Sequence, residues 1–409
     1  MNDSTLIANN KELDTPMSLY QWMVVALCFL LNFNDGIDVL VVSFAAPHIQ
    51  SEWALTNAQL GYIFSAGLAG MTIGCFTLAP WGDIIGRRKA FLLSLFLISA
   101  GMLLVYFSNI YGWMLCFRFI TGLGIGGILP NLATVAAEFA TKKNRDFAVG
   151  IVQGGWPLGA ILTGFSVAYI IPNWGWHASF LVAGIFSATL WLIVFFFLPE
   201  SPVFLSKQKR SSAMNNLHEL FSADYRASTL ILWTAIFFGF ITLYTLMSWI
   251  PSIAKNSGMP FQMATYAGTF LNIGAFVGVF VMGIAISKMG IKKVMLFYLC
   301  LAFIVMNIYG STAWSYNLHF VFIFLIGFLV QGGFNAFYPA ATRIYPEAIR
   351  STGVGMAMGM GRFGAIIGPA LFGILTDQGF GISARFLLFS IPLLIAAFLV
   401  QRIQSKNIS

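Results

Sequence analysis

Two aspartates, Asp35 and Asp38, stand three residues apart in LNFNDGIDVL (31–40), inside a stretch that is otherwise apolar from SLYQWMVVALCFLL to VVSFAAPHI. On a helix that spacing puts both carboxylates on one face. An ionised aspartate at the centre of a membrane helix costs about 2.5–3.5 kcal/mol on insertion scales, so each needs a partner or a proton. Two arginines are embedded in the same way, Arg118 in MLCFRFITG and Arg362 in GMGRFGAII. Carboxylates that can take up and release protons, beside guanidiniums that can hold an anion in bidentate geometry, are the parts of a proton-linked site for an organic anion. A buried network that only ties helices together is the competing reading.

Depth sorts these residues. At 1.5 Å per residue, Asp38 lies roughly 13 Å and Arg118 roughly 10 Å below the same surface, and an Asp38–Arg118 ion pair is expected. Arg362 falls near the midplane with no acid at its depth in its own half of the chain, so its permanent charge needs an anion, polar neighbours or water, and a substrate carboxylate would supply the anion. Gln331, Asn335 and Tyr338 join Arg118 and Arg362 as candidate substrate-binding residues, or merely bind helix to helix, while Asp35 and Asp38 each need a partner or a proton. Asn34, Gln153 and Asn272 could serve the site or simply bind helix to helix. Tyr244, Trp249 and Trp156 could stack an aromatic ring.

Such side chains must be carried by elements that cross a bilayer. The chain has 409 residues, 58% hydrophobic and 9% charged, which no soluble domain of ordinary composition matches. Apolar runs long enough to cross a ~30 Å hydrocarbon core recur along almost the whole length. They predict twelve spans, at 18–45, 57–79, 90–108, 111–138, 146–171, 177–198, 228–252, 264–286, 292–312, 317–342, 351–376 and 383–402. The expected organisation is a cytoplasmic tail (1–17), a six-helix bundle (18–198), a cytoplasmic central loop (199–227), a second six-helix bundle (228–402) and a C-terminal tail (403–409). The acidic N-terminus has no basic n-region, so no cleaved signal is expected. Of the 22 basic residues, 18 fall in the segments on one side, Lys255 and Arg385 on the other, and Arg118 and Arg362 inside spans. The positive-inside rule then predicts both termini in the cytoplasm. This sorting by side also argues against nucleic acid as the partner of the net +8 charge.

The two halves repeat. GDIIGRRK (82–89) follows the second span and ISKMGIKK (286–293) the eighth, with Gly86 and Gly290 offset by 204; Gly122 and Gly327 are offset by 205. Duplicated bundles with a site between them near the midplane are the plan of many secondary transporters. GLGIGG (122–127) matches GxGxxG, but a nucleotide fingerprint must follow a strand in water. Gly122 and Gly126, four apart in a span, instead predict close helix packing. In GDIIGRRK, Asp83, Arg87 and Arg88 are read either as anchoring charges or as a gate: an ion pair at the cytoplasmic end, closed in one state and broken in another. Glu138 with Arg145, and Glu347 with Arg350, are expected at the same surface. Cys28, Cys75, Cys116 and Cys300 are unpaired in spacing, so no disulfide framework and no metal site is expected.

GDIIGRRK and RFITGLGIGGILPN resemble signatures of the major facilitator superfamily. Within it, NDGIDVLVVSFAAPHIQSEW is similar to the DGxD first span of the aromatic acid:proton symporters, and the likeness continues in GWPLGAILTG, LYTLMSWIPSIAKNSG and IYPEAIRSTGVGMAMGMGRFGAIIGP. The resemblance implies an all-α membrane protein of the major facilitator fold, with Asp35 and Asp38 in proton-coupled uptake of benzoate-like anions and Arg118 and Arg362 as the corresponding arginines. His177 stands where the family often has arginine.

The combined expectation is a monomeric inner-membrane symporter that needs no cofactor beyond protons as coupling ion and imports an aromatic carboxylate such as benzoate or a hydroxybenzoate by alternating access. Transport of another small carboxylate or a sugar acid, and export, stay open. A channel or a membrane enzyme ranks lower, since the sequence offers no metal cluster and no nucleophile with a base.

Overall fold

A computed structural model describes residues 16–205, 219–222, 224–312 and 314–403, apart from the side chains of Asp83, Lys142, Asp146, Pro202, Val203, Glu347, Ala348 and Ser351. Every regular element among them is helical: α1 (Leu19–Glu52), α2 (Asn57–Ile85), α3 (Arg87–Tyr106), α4 (Tyr111–Phe139), α5 (Arg145–Phe197), the single turn α6 (Pro202–Leu205), α7 (Arg226–Asn256), α8 (Phe261–Met289), α9 (Ile291–Ser311), α10 (Tyr316–Asn335), α11 (Phe337–Ile344), α12 (Glu347–Asp377) and α13 (Ile382–Gln401). In hydrocarbon a helix satisfies its own backbone, and these apolar sequences take that solution throughout.

Eleven helical stretches among the described residues are long and apolar enough to cross a membrane. One of them, within α5, is 51 residues long. Straight, it would exceed twice the ~30 Å core. It does not run straight: Gly175 is non-helical at φ 78°, ψ 168°, a left-handed conformation that glycine enters without a Cβ penalty. Both arms return to the same level of α1. Ala160 faces Gly36 on one arm, and Ser187 bonds Asn34 on the other, so the chain doubles back between them. The expected tenth span is likewise two helices, α10 and α11, broken at Ala336. The first is longer than the expected 18–45, because α1 continues through Pro47 to Glu52.

The repeat read from spacing recurs in atomic packing. A Cβ at Gly122 on α4 would strike the Gly67 carbonyl of α2, while one at Gly327 on α10 would strike the Leu271 carbonyl of α8. Gly70 and Gly74 face the carbonyls of Phe119 and Leu123, just as Gly274 and Gly278 face those of Phe324 and Phe328. Each pairing reproduces the other at an offset of 204 to 205. Gly86 and Gly290, which open α3 and α9, share φ values of 102° and 82°. The GxGxxG match is therefore a helix-packing stripe, as its place in a span predicts.

The basic residues collect at one end of the helices, where Lys292 Nζ bonds the Ile403 carbonyl at 2.7 Å. The other end, called here the loop end, holds the α1–α2 connection, the Gly175 turn and the α12–α13 connection.

Candidate functional site

α1 carries both aspartates directly against α5. A Cβ on Gly36, within the NDGID segment, would collide with the Trp156 carbonyl and lie 2.9 Å from the Ala160 nitrogen; from α5, Gly155 and Gly159 approach the backbone of Phe29 and Phe33. Small residues on both helices let the backbones touch, and that contact sets the depth and rotation of the two carboxylates.

Asp38 is fully buried, and its Oδ2 accepts from Asn34 Nδ2 at 2.9 Å. Asn34 Oδ1 in turn accepts from Ser187 Oγ at 2.8 Å. Arg118, also buried, donates from Nη1 to the main-chain carbonyl of Asp38 at 3.2 Å and faces Met102 Sδ at 3.9 Å. The expected Asp38–Arg118 ion pair is thus corrected in detail: the guanidinium meets the aspartate's backbone while the carboxylate is turned to Asn34. The reason is local, because Asn34 lies one helical turn from Asp38 and reaches it without crossing between helices. The two charges remain electrostatic neighbours.

Asp35 belongs to a second cluster. Its carboxylate meets the Trp156 side chain and has Arg362 as its charged neighbour. Arg362, on α12, donates from Nη1 to Met71 Sδ and is surrounded by Cys75, Tyr244, Tyr338 and Asp35. Among the described residues the acid that influences Arg362 is Asp35, from the other half of the chain, and it does so at a distance rather than through an ion pair. One carboxylate oxygen of each aspartate, Oδ1 in both, is buried without a hydrogen-bond partner among the described residues. Burying polar atoms unpaired is costly, so these atoms are places for a proton or a ligand.

Gln331, Asn335 and Tyr338 succeed one another at near-helical spacing across the α10–α11 break. Tyr338 approaches Arg362 and stays 41% exposed; Gln331 is half-buried with Oε1 unpartnered; Asn335 is half-buried at the end of α10. No hydrogen bond joins Gln331 or Asn335 to either arginine. Between the clusters lies a cavity of ≈ 20 Å³ lined by residues that include Val39, Leu68, Met71, Arg118, Tyr244 and Met247. That is room for a water or two, far short of an aromatic ring.

Most of the contacts that join the two halves of the chain lie from Arg362 toward the loop end, and one turn to its basic side Gly359 still meets the Phe76 ring. Ser43 Oγ donates to the Met247 and Ser248 carbonyls at 2.6 and 2.9 Å, and Ser65 Oγ to the Ile366 carbonyl at 2.6 Å. His48 meets Phe261 edge-on with ring centroids 4.1 Å apart, and Asp377 accepts from Asn57 and Ala58. The site is shut on that side.

At the basic end, the candidate gating residues tie helices within the first half. Arg87 donates to Asn131 and pairs with Glu138 at 3.7 Å, both side chains being buried; Glu138 also accepts from Ser201 Oγ at 2.6 Å. Arg88 donates to the Phe195 carbonyl and lies over its ring, while its backbone N–H donates to Glu200 at 3.2 Å. Glu138 thus meets Arg87, while Arg145 at the start of α5 is exposed. Arg350 donates to the Tyr345 carbonyl at 3.3 Å. The Asp83 and Glu347 side chains lie outside the described residues.

Sequence reasoning did not single out Met71, Ser43, Ser65, Glu200 or Asp377. Their partners are 112 to 320 residues away or are main-chain carbonyls, and neither leaves a linear signal.

A family model described as the Major Facilitator Superfamily matches residues 28–281 and 232–406. The chain is 30% identical to the gallate transporter of Pseudomonas putida over 94% of its own length and 92% of the relative's. It is 32% identical to the 4-hydroxybenzoate transporter PcaK of Pseudomonas aeruginosa, over 89% and 88%. Among solved structures, a D-xylose-proton symporter superposes with a TM-score of 0.81 over 95% of this chain and 99% of that one at 17% identity, a likeness of fold alone.

Proposed function

The chain belongs to the major facilitator superfamily, and from that premise we propose that it is a proton-coupled importer of a small aromatic carboxylate such as 4-hydroxybenzoate or benzoate. The observation that carries this reading is Arg362 reaching across the two halves to Met71, with the Asp35 charge within electrostatic reach and Tyr244 and Tyr338 in the same neighbourhood. A guanidinium offers a carboxylate two parallel hydrogen bonds, and the surrounding rings offer an aromatic body apolar faces. The names of the relatives point to the same substrate class.

The transport cycle follows from the charges. Facing the loop end, Asp35 and Asp38 take up protons, and the substrate carboxylate takes the place beside Arg362 that the Asp35 charge otherwise holds. The halves then rock about the site, and it opens to the basic end. Six helices per half, counting the two arms of α5 as two crossings, support a reading of twelve spans in two bundles divided by the central loop. The 18-to-2 distribution of basic residues supports a cytoplasmic basic end with both termini on that side. The conformation described here then faces inward. Arg87, Arg88, Glu138, Arg145, Arg350, Asp83 and Glu347 form the cytoplasmic gate, with the Arg87–Glu138 pair holding α3 to α4 as the halves move. Protons are the coupling ion, no cofactor takes part, no bond of the substrate is broken, and the working unit is a monomer in the inner membrane.

The test is uptake of radiolabelled 4-hydroxybenzoate and benzoate into proteoliposomes with and without an imposed inward proton gradient. Saturable accumulation that a protonophore abolishes is expected. Folded protein that transports neither acid, or accumulates one regardless of the gradient, overturns the reading.

A further inference from the structure

The N-terminus of α2 is completed by a residue from the opposite half of the chain. Thr56 and Gln59 form a capping box: Thr56 Oγ1 accepts from Gln59 N at 3.2 Å and Gln59 Oε1 accepts from Thr56 N at 2.9 Å. This leaves the first two helical N–H groups, those of Asn57 and Ala58, without an acceptor of their own. Asp377 accepts both. Its Oδ1 takes Asn57 N at 3.0 Å and Asn57 Nδ2 at 2.8 Å, and its Oδ2 takes Ala58 N at 2.7 Å. Gln50 Nε2 holds Asn57 Oδ1 at 3.0 Å, which turns the amide N–H₂ toward the carboxylate.

Asp377 is the last residue of α12, where a negative charge opposes that helix's own dipole. Its favourable partner is the positive end of α2. The contact continues inward as a zip between the two helices. Gly61 faces the Pro369 carbonyl and Gly373 the Asn57 carbonyl, each too close for a Cβ; Ser65 bonds Ile366; and Met71 meets Arg362. Asp377 and Arg362 are thus the outer and inner ends of one helix, roughly 22 Å apart on a continuous rod.

We propose that Asp377 is the latch of the loop-end gate, a carboxylate of one half that caps α2 in the other and must release it before the site opens on that side. This rests on the alternating-access reading above. Glycine contacts give the zip its shape, but only the carboxylate draws the two ends together at a distance and is lost as a unit when they part.

The experiment measures the distance between spin labels at Gly112→Cys on α4 and Gly381→Cys before α13, two loop-end positions with open space around them, in protein lacking the four native cysteines and with no substrate added. The parent is expected to populate mainly the short distance. Asp377→Asn, which loses the charge at equal size, should raise the ratio of open to closed about tenfold or more. Asn57→Asp, which sets a like charge against Asp377, should do the same, and the double variant Asn57→Asp/Asp377→Asn should return toward the parent by restoring a carboxylate–amide pair. A folded Asp377→Asn with the parent's distance distribution overturns the latch. If that variant does not fold, an unshifted Asn57→Asp overturns it instead. Because no substrate enters the measurement, a latch that fails while uptake succeeds is distinguishable from a failed transport reading.

Discussion

Gly36 is predicted to be as necessary as the aspartates that flank it. In Gly36→Ala the new Cβ would overlap the Trp156 carbonyl, and α1 and α5 must separate by about 1 Å to restore ordinary contact. Overpacking of this kind costs about 1–3 kcal/mol. The same displacement carries Asp35 away from Trp156, and misplacement by ~1 Å at a working site costs up to about a hundredfold in rate. Gly150 and Gly154, on α5 itself, have nothing within 4 Å of an added Cβ. Alanine there should be neutral or gain up to about 1 kcal/mol from helix propensity. Melting in detergent and initial uptake rates in proteoliposomes would be measured for all three. The expected order is a lowered midpoint with uptake down roughly ten- to a hundredfold for Gly36→Ala, and wild-type behaviour for the other two. A Gly36→Ala protein with wild-type melting and uptake would refute the argument that backbone contact positions the carboxylates.

Three further outcomes are expected. Asp35→Asn should keep exchange of labelled for unlabelled substrate but lose accumulation against a gradient, where one pH unit drives about tenfold per coupled proton; undiminished accumulation excludes Asp35 from coupling. Arg362→Lys keeps the charge and loses the planar fork, so KM for the acid should rise about tenfold with folding intact; an unchanged KM removes Arg362 from the substrate's carboxylate. Glu138→Gln and Arg87→Gln each unbalance a buried pair and should each destabilise by about 3–5 kcal/mol, the double variant by less than their sum; simple additivity of the melting shifts would show that the two side chains do not act as a pair.

Chain order alone carried the membrane class, the positions of almost all the helices, the twofold repeat and the four buried charges. Each is a local property: twenty apolar residues make a membrane helix wherever they occur, and a charge inside one is conspicuous because hydrocarbon offers it nothing. The glycine stripes were legible for the same reason, since only close helix approach rewards a residue without a side chain. What the sequence could not sort was which buried group meets which. It paired Asp38 with Arg118 by depth, yet rotation about the helix axis turns that carboxylate to Asn34 and leaves the arginine on the backbone. It found no partner for Arg362 because it searched one half, whereas Met71 and the more distant charge of Asp35 come from the other when the halves meet. Asp377 gave no signal at all, for an aspartate at a helix end is ordinary until the fold brings the bare N–H groups of α2 against it from 320 residues away. Depth is written in the count of residues; azimuth, partner and the closed end of the molecule are decided only by how finished helices pack.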